Sequence, residues 1–245
     1  MTDVFPVAAT ALAVAAGATA SVVGFGIGSL LTPVLAVRYG IGPAVAMVAL
    51  PHLAASLLRA WRLRGHIPRD VVVRFGLLSA AGGLAGALLY ARLGGPALVT
   101  ALGVLLLVTA IAGLTGWTER WHPRGPIVWG LGLLSGLFGG LAGNQGGIRA
   151  AALSAFGLGP AEFVAASTAA GVLVDLARTP VYLVREHASL AAAAPLLAGL
   201  VAGALAGTLL GERVLFGIAP RVFRRVVSVA IGGLGLWLLF GPHSG

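Results

Sequence analysis

The 245-residue sequence has no cysteine and no lysine, and only 9% of its residues are charged. The absence of cysteine excludes disulfide bonds, thiolate metal sites and cysteine nucleophiles. The seven acidic residues and five histidines are scattered, without the spacing of a catalytic carboxylate pair or of metal ligands. We therefore expect neither an enzyme nor a protein that holds a metal or another cofactor.

The rest of the composition is strongly apolar. Hydrophobic residues make up 58% of the chain and its mean hydropathy is +1.00, which is typical of an integral membrane protein and not of a soluble domain. Sixteen arginines against seven acidic residues give a formal net charge of +9. These arginines gather between apolar segments, as topology-setting charges do, and no aromatic-interleaved basic stretch is present. The composition predicts contact with the lipid bilayer and not with nucleic acid.

Eight apolar segments can be drawn along the chain. A membrane-spanning helix needs about 20 residues, so the first and fifth segments are too long for one simple span. Each is interrupted by a glycine cluster, at Gly24–Gly28 and at Gly143–Gly147. Such discontinuous helices at corresponding positions are typical of duplicated transporter folds. The segments lie at about 5–37, 43–61, 71–92, 97–117, 127–157, 160–184, 188–211 and 219–241.

An internal repeat is visible when the sequence is shifted by 117 positions. The shift places YGIGPA at Tyr39–Ala44 on FGLGPA at Phe156–Ala161, and it places Gly26 on Gly143. Small residues four apart also coincide, and their spacing favours close helix packing. The repeat predicts an all-α, polytopic membrane protein with two homologous halves, residues 1–125 and 126–245.

The topology depends on whether the interrupted segments cross the membrane or re-enter on the same side. Re-entrant segments would distribute the loop arginines far more unevenly between the two sides than crossing segments would. The positive-inside rule therefore favours re-entrant segments and inverted repeats, with the loop from Arg59 to Arg74 in the cytoplasm. Both arrangements remain open at this point.

The two glycine clusters are candidate anion sites. A break in a membrane helix exposes backbone amides at the start of the second half-helix, and such amides favour a bound anion. The alternative is that the glycines only permit close packing, but packing alone does not explain an arginine and two amides at membrane depth. The candidate substrate-binding residues at the breaks are Gly24, Gly26, Gly28, Ser29, Asn144, Gln145, Gly146, Gly147 and Arg149.

A second polar group lies in segment 160–184. Thr168, Asp175 and Arg178 share one helical face, which must be buried because charges in hydrocarbon are costly. Thr168 and Arg178 are further candidate ligands, although Asp175 and Arg178 would also make a structural ion pair. Asp175 and His52 are candidates for proton coupling, and hydrogen-bonded structure is the alternative for His52.

Over about residues 5–241 the chain resembles the TauE/SafE family of sulfite-exporter-like membrane transporters. The resemblance is carried by the broken first segment, the xGxGPA turn, the Arg-rich loop ending near Gly65, their repetition, and the stretch Gly143–Leu183. It implies a multi-pass carrier of the inner membrane for small sulfur-containing oxyanions or organosulfonates. The commoner family pattern has nearly pure glycine breaks followed by proline, whereas this chain has Phe25, Ile27 and, in the second half, Ala150.

These observations together predict a secondary transporter of a small sulfur-containing anion, such as sulfite, thiosulfate or an organosulfonate. Ion or proton coupling and alternating access are expected. A passive anion channel and a non-transporting membrane scaffold are the alternatives, and a homodimer is an open alternative to a monomer.

Overall fold

The computed structural model describes residues 4–93, 95–116, 123–143, 146–214 and 220–241, and all regular structure in these ranges is helical. The first half contains helices α1 (Phe5–Val23), α2 (Ile27–Tyr39), α3 (Ile41–Arg62), α4 (Arg69–Tyr90) and α5 (Gly95–Thr115), with a 3₁₀ turn at Arg64–His66. The second half contains α6 (Pro126–Ala142), α7 (Gly146–Leu153), α8 (Pro160–Arg185), α9 (His187–Ala192), α10 (Ala194–Val214) and α11 (Pro220–Phe240), with a 3₁₀ turn at Ser154–Phe156.

Six of these helices are long and apolar enough to cross a membrane. They are α1, α3, α4, α5, α8 and α10, whereas α2 and α6 are shorter apolar helices. The prediction of an all-α, multi-pass membrane protein is confirmed. The inverted orientation of the two halves stays a prediction.

Both predicted breaks are helix ends capped by glycine. Gly24 ends α1 with φ of 83° and donates its backbone N–H to Ala20 O, and Gly143 ends α6 with φ of 72° and donates to Gly139 O. This left-handed conformation favours glycine because it has no Cβ to clash with the preceding turn. The glycine clusters therefore stop the helices where the sequence predicted a break.

The helices pack in corresponding pairs. α1 packs against α10 and α4 against α6, while α3 contacts α10 and α4 contacts α8. The 117-residue shift relates α1 to α6, α3 to α8, and α4 to α10. It therefore converts the contact between α1 and α10 into the contact between α6 and α4. It likewise converts the contact between α3 and α10 into the contact between α8 and α4. This correspondence is what a duplicated chain would produce, and the division into repeats 1–125 and 126–245 stays a prediction.

Glycines on α4 and α10 permit the closest helix contacts. A Cβ at Gly82 or Gly86 of α4 would overlap the carbonyl oxygens of Leu133 and Leu137 on α6. At Gly203 of α10 the carbonyl oxygen of Thr10 on α1 lies 2.7 Å from the position that a Cβ would take. The predicted small-residue contacts between helices are thus present, and backbone atoms rather than side chains meet there.

We expect Gly86→Ala to destabilise the detergent-solubilised protein by about 1–3 kcal/mol, because the neighbouring backbone cannot yield to the added methyl group. Gly130→Ala is the matched control: Gly130 is an exposed helical glycine with no heavy atom within 4 Å of its Cβ position. The control should be neutral or stabilising by up to about 1 kcal/mol. Thermal unfolding measures both, and equal melting temperatures would contradict the packing described for α4 and α6.

Candidate functional site

The first break turns the chain back along α1. A Cβ at Gly26 would lie 2.8 Å from Thr19 Cγ2 and 4.0 Å from Ala16 O, seven and ten residues earlier in the chain. A continuing helix would carry Gly26 about 10 Å beyond Thr19. The start of α2 therefore lies beside the end of α1 and does not extend its axis, and re-entry into the membrane stays a prediction.

The second break contacts the first. A Cβ at Gly143 would lie 3.1 Å from Thr32 Oγ1 on α2, and one at Gly146 would overlap the side chain of Phe25. Gly28 and Ser29 are buried in the first turn of α2, and Gly146 is buried in the first turn of α7 beside the half-buried Gly147. The fold thus brings both glycine clusters to one place. Asn144 and Gln145 lie outside the described residues.

Arg149 is buried next to this junction. Its side chain is 2% exposed and its Nη1 donates to Ser167 O at 2.9 Å. The hydroxyl of Ser167 donates to Gly24 O at 3.0 Å, so Ser167 links Arg149 to the end of α1. Gly171 gives the guanidinium its space, because a Cβ there would lie 2.9 Å from Nη1. Neither Nε nor Nη2 of Arg149 has a hydrogen-bond partner among the described residues.

Asp175 lies between a histidine and an arginine. Its Oδ2 is 2.5 Å from His52 Nδ1, and its Oδ1 accepts from Arg178 Nε at 2.9 Å and lies 2.8 Å from Arg178 Nη2. Both Asp175 and Arg178 are fully buried. The ion pair that the sequence offered as one interpretation is therefore formed, and His52 is hydrogen-bonded to the same carboxylate.

Arg178 and its neighbour Tyr182 also hold the end of α6. Arg178 Nη1 donates to Gly139 O and the Tyr182 hydroxyl donates to Gly140 O. Gly139 O thus accepts from Arg178 in addition to the capping Gly143 N–H, and cations favour this end of the helix dipole. Arg178 thus fixes the second break while it neutralises Asp175.

Unpartnered hydroxyls lie on the same helices. Thr168 on α8 is buried one turn before Gly171, and its Oγ1 has no partner among the described residues. Thr32 on α2 is also buried with an unpartnered hydroxyl. The 117-residue shift that relates the halves places Thr32 at the position of Arg149, so corresponding positions carry a hydroxyl in one half and a guanidinium in the other.

Arg59 is the residue whose environment the sequence interpretation missed. We predicted it at the start of a cytoplasmic loop, but it is 2% exposed. Its Nη2 donates to Ser56 Oγ at 3.1 Å and its Nη1 to Thr208 Oγ1 at 3.4 Å. The available signal was its helical spacing from His52 and Ser56, which places all three on one face of α3.

The buried charges of the described residues do not balance. Apart from the tyrosines, the buried ionisable side chains are His52, Arg59, Arg149, Asp175 and Arg178, which gives three arginines and a single carboxylate. Asp175 interacts electrostatically with Arg59 and Arg149 as well. Each incompletely compensated buried ion costs several kcal/mol. The arrangement is therefore suited to an anion and disfavours a cation.

These features define a class of protein: a multi-pass helical membrane protein in which two broken helices meet beside a buried basic site. A family model described as Sulfite exporter TauE/SafE matches residues 9–238. The chain belongs to this family, whose members are sulfite-exporter-type membrane transporters. No curated protein and no solved structure matched the chain significantly.

We expect Asp175→Asn to destabilise the protein by about 3–5 kcal/mol, because removal of one partner leaves the buried Arg178 unpaired. Asp70→Asn removes an exposed acid from the first turn of α4 and should cost no more than about 1 kcal/mol. Thermal unfolding in the same detergent compares the two. Equal losses of stability would mean that the Asp175 ion pair does not hold the site together.

Proposed function

We propose that the protein is a secondary transporter of a small sulfur-containing anion of the sulfite, thiosulfate or organosulfonate class, located in the inner membrane. Membership of the TauE/SafE family supports transport and a sulfur oxyanion. The observation that carries the proposal is Arg149, a buried guanidinium with donors that no described residue uses. Arginine donors in a planar fork suit an oxyanion, whose oxygens accept two parallel hydrogen bonds.

The anion would be bound where the two breaks meet. Arg149 would donate from Nε and Nη2, and the hydroxyls of Thr168 and Thr32 would add neutral donors. The first turns of α2 and α7 would add the positive ends of their helix dipoles. Arg178 would contribute a fixed positive charge. The proposed ligands at the two breaks are Gly24, Gly26, Gly28, Ser29, Gly146 and Gly147. Asn144 and Gln145, which follow Gly143 in the sequence, are proposed with them.

Alternating access is the mechanism that the repeated packing supports. The two packed groups that the 117-residue shift relates, α1 with α10 and α6 with α4, would rock against each other around a central site. The hydrogen bonds of Ser167, Arg178 and Tyr182 to the ends of α1 and α6 would keep both breaks attached to α8 during this motion. The breaks would then move with the anion between the two sides.

Proton coupling would use the pair formed by His52 and Asp175. The 2.5 Å contact between Nδ1 and Oδ2 provides a path for a proton between an imidazole and a carboxylate. Because Asp175 also neutralises Arg178, a proton on this pair would increase the positive charge beside the anion. Binding of an anion and of a proton would therefore favour each other, which is the thermodynamic basis of symport.

We predict that Arg149→Gln binds sulfite about tenfold or more weakly, because it removes charged hydrogen bonds to the anion. Arg149→Lys keeps the charge but loses the planar fork, so its affinity should be intermediate. Arg69→Gln, which removes an exposed arginine, is the control. Purified protein gives the affinities by titration calorimetry, and proteoliposomes loaded with radiolabelled sulfite give exchange rates.

Unchanged sulfite affinity in Arg149→Gln would overturn the assignment of the site. Conductive flux without saturable exchange would instead indicate a passive anion channel. Absence of both binding and flux across sulfite, thiosulfate and sulfoacetate would contradict transport and favour a membrane scaffold.

We also predict that His52→Gln retains sulfite exchange but is no longer driven by an imposed pH gradient, because glutamine keeps a hydrogen-bonding group and cannot titrate. His66→Gln replaces an exposed histidine in the loop after α3 and should behave as wild type. Uptake into proteoliposomes with and without the gradient tests this. A His52→Gln variant that still accumulates sulfite with the gradient would remove the histidine from coupling.

A further inference from the structure

We propose that Arg59 forms a second binding position for the transported anion, between the central site and the arginine-rich loop that follows α3. The inference rests on the proposed transport function. Arg59 lies in the last turn of α3, seven residues from His52, which corresponds to about 10 Å along the helix. The two positions are therefore separate and lie on one face of α3.

Among the described residues, no acidic side chain forms an ion pair with Arg59. Its guanidinium is buried, its two hydrogen bonds go to the neutral hydroxyls of Ser56 and Thr208, and its Nε has no partner among the described residues. Asp175 interacts with Arg59 only at longer range, and its oxygens already contact His52 and Arg178. Arg59 therefore remains the positive end of a polar pocket.

Two structural explanations do not account for this arrangement. Arg59 lies near the C-terminal end of α3, where a cation is favoured, but this interaction is weak compared with the cost of burying a guanidinium. Snorkelling toward the membrane surface is the usual solution for an arginine near a helix end. Arg62, one turn later, is exposed in this way, whereas the Arg59 side chain packs inward against α10.

The pocket has the chemistry of an oxyanion site. Arg59 would donate from Nε and Nη1, and Ser56 and Thr208 each have a hydroxyl hydrogen of their own to donate. Thr208 contacts two other helices: its hydroxyl accepts from Arg59 on α3, and its carbonyl accepts from the Ser21 hydroxyl on α1 at 3.0 Å. α1, α3 and α10 therefore hold the donors around one point.

The position of the pocket indicates when the anion would occupy it. The exposed arginines 62, 64, 69 and 74 follow or lie beside the end of α3, and a cluster of positive charge attracts anions from solution. An anion that moves from this surface to Arg149 would meet Arg59 on the way. Occupation would be transient, so Arg59 would affect the transport rate more than the equilibrium affinity of the central site.

The experiment compares Arg59→Gln with Arg62→Gln, which removes an exposed arginine one turn away. We expect Arg59→Gln to bind sulfite with an affinity within about twofold of wild type, yet to exchange radiolabelled sulfite about tenfold or more slowly. Arg62→Gln removes one of several surface charges, so it should keep the affinity and slow exchange by no more than about twofold. Wild-type exchange rates in Arg59→Gln would overturn the inference. A loss of sulfite affinity as large as in Arg149→Gln would also overturn it, because Arg59 would then belong to the central site.

A second pair of variants separates binding from structural support. Thr208→Asp places a carboxylate beside Arg59, so it should raise the melting temperature and slow sulfite exchange, because the tethered carboxylate occupies the pocket. Thr208→Asn has nearly the same shape without the charge and should slow exchange less. A Thr208→Asp protein that is more stable and exchanges at the wild-type rate would show that Arg59 has only a structural role.

The outcomes distinguish this inference from the proposed function. If wild-type protein exchanges sulfite and Arg149→Gln does not, the transport proposal holds whatever Arg59→Gln does. If wild-type protein neither binds nor exchanges sulfite, both proposals fail together. The inference alone fails when Arg149→Gln is defective and the Arg59 and Thr208 variants exchange at the wild-type rate.

Discussion

The ion pair between Asp175 and Arg178 is the interaction on which the rest of the site depends. Asp175 is the single buried acid among the described residues, and it lies among three buried arginines and a histidine. Its oxygens are hydrogen-bonded to Arg178 and His52, and its single negative charge cannot balance three arginines. The excess of positive charge is thus built into the protein interior, where each unpaired ion is costly. A bound anion would relieve this cost, so binding and stability are connected by the same charge.

Glycine determines where this charge lies. At Gly24 and Gly143 the left-handed conformation ends a helix inside the protein, and the glycines of α4 and α10 bring neighbouring backbones into direct contact. Close packing of this kind leaves little freedom for the ends of the broken helices. They are held by side chains from α8, namely Ser167, Arg178 and Tyr182. One continuous helix therefore positions both breaks and carries the aspartate that sets the charge of the site.

Much of this architecture could be predicted from the sequence, because helix periodicity and glycine clusters are local signals. The ends of α1 and α6, the polar face of α8 and the depth of Arg149 are of this kind. The link from Ser167 to Gly24 could not be predicted, since it depends on a contact between residues 143 positions apart. Arg59 was misinterpreted for the same reason: at a helix end, sequence alone cannot distinguish an arginine that reaches solvent from one that turns inward against α10. The predicted segment 188–211 likewise divides into α9 and α10.

The central claim is that Arg149 holds an oxyanion where the two breaks meet. Its most direct test is anomalous diffraction from crystals soaked in selenite, the heavier analogue of sulfite, because selenium can be located independently of the rest of the density. The account predicts a selenium peak within hydrogen-bonding reach of Arg149 Nε and Nη2, beside the first turns of α2 and α7. A peak only elsewhere in the molecule, with the Arg149 guanidinium paired to a protein carboxylate, would contradict it.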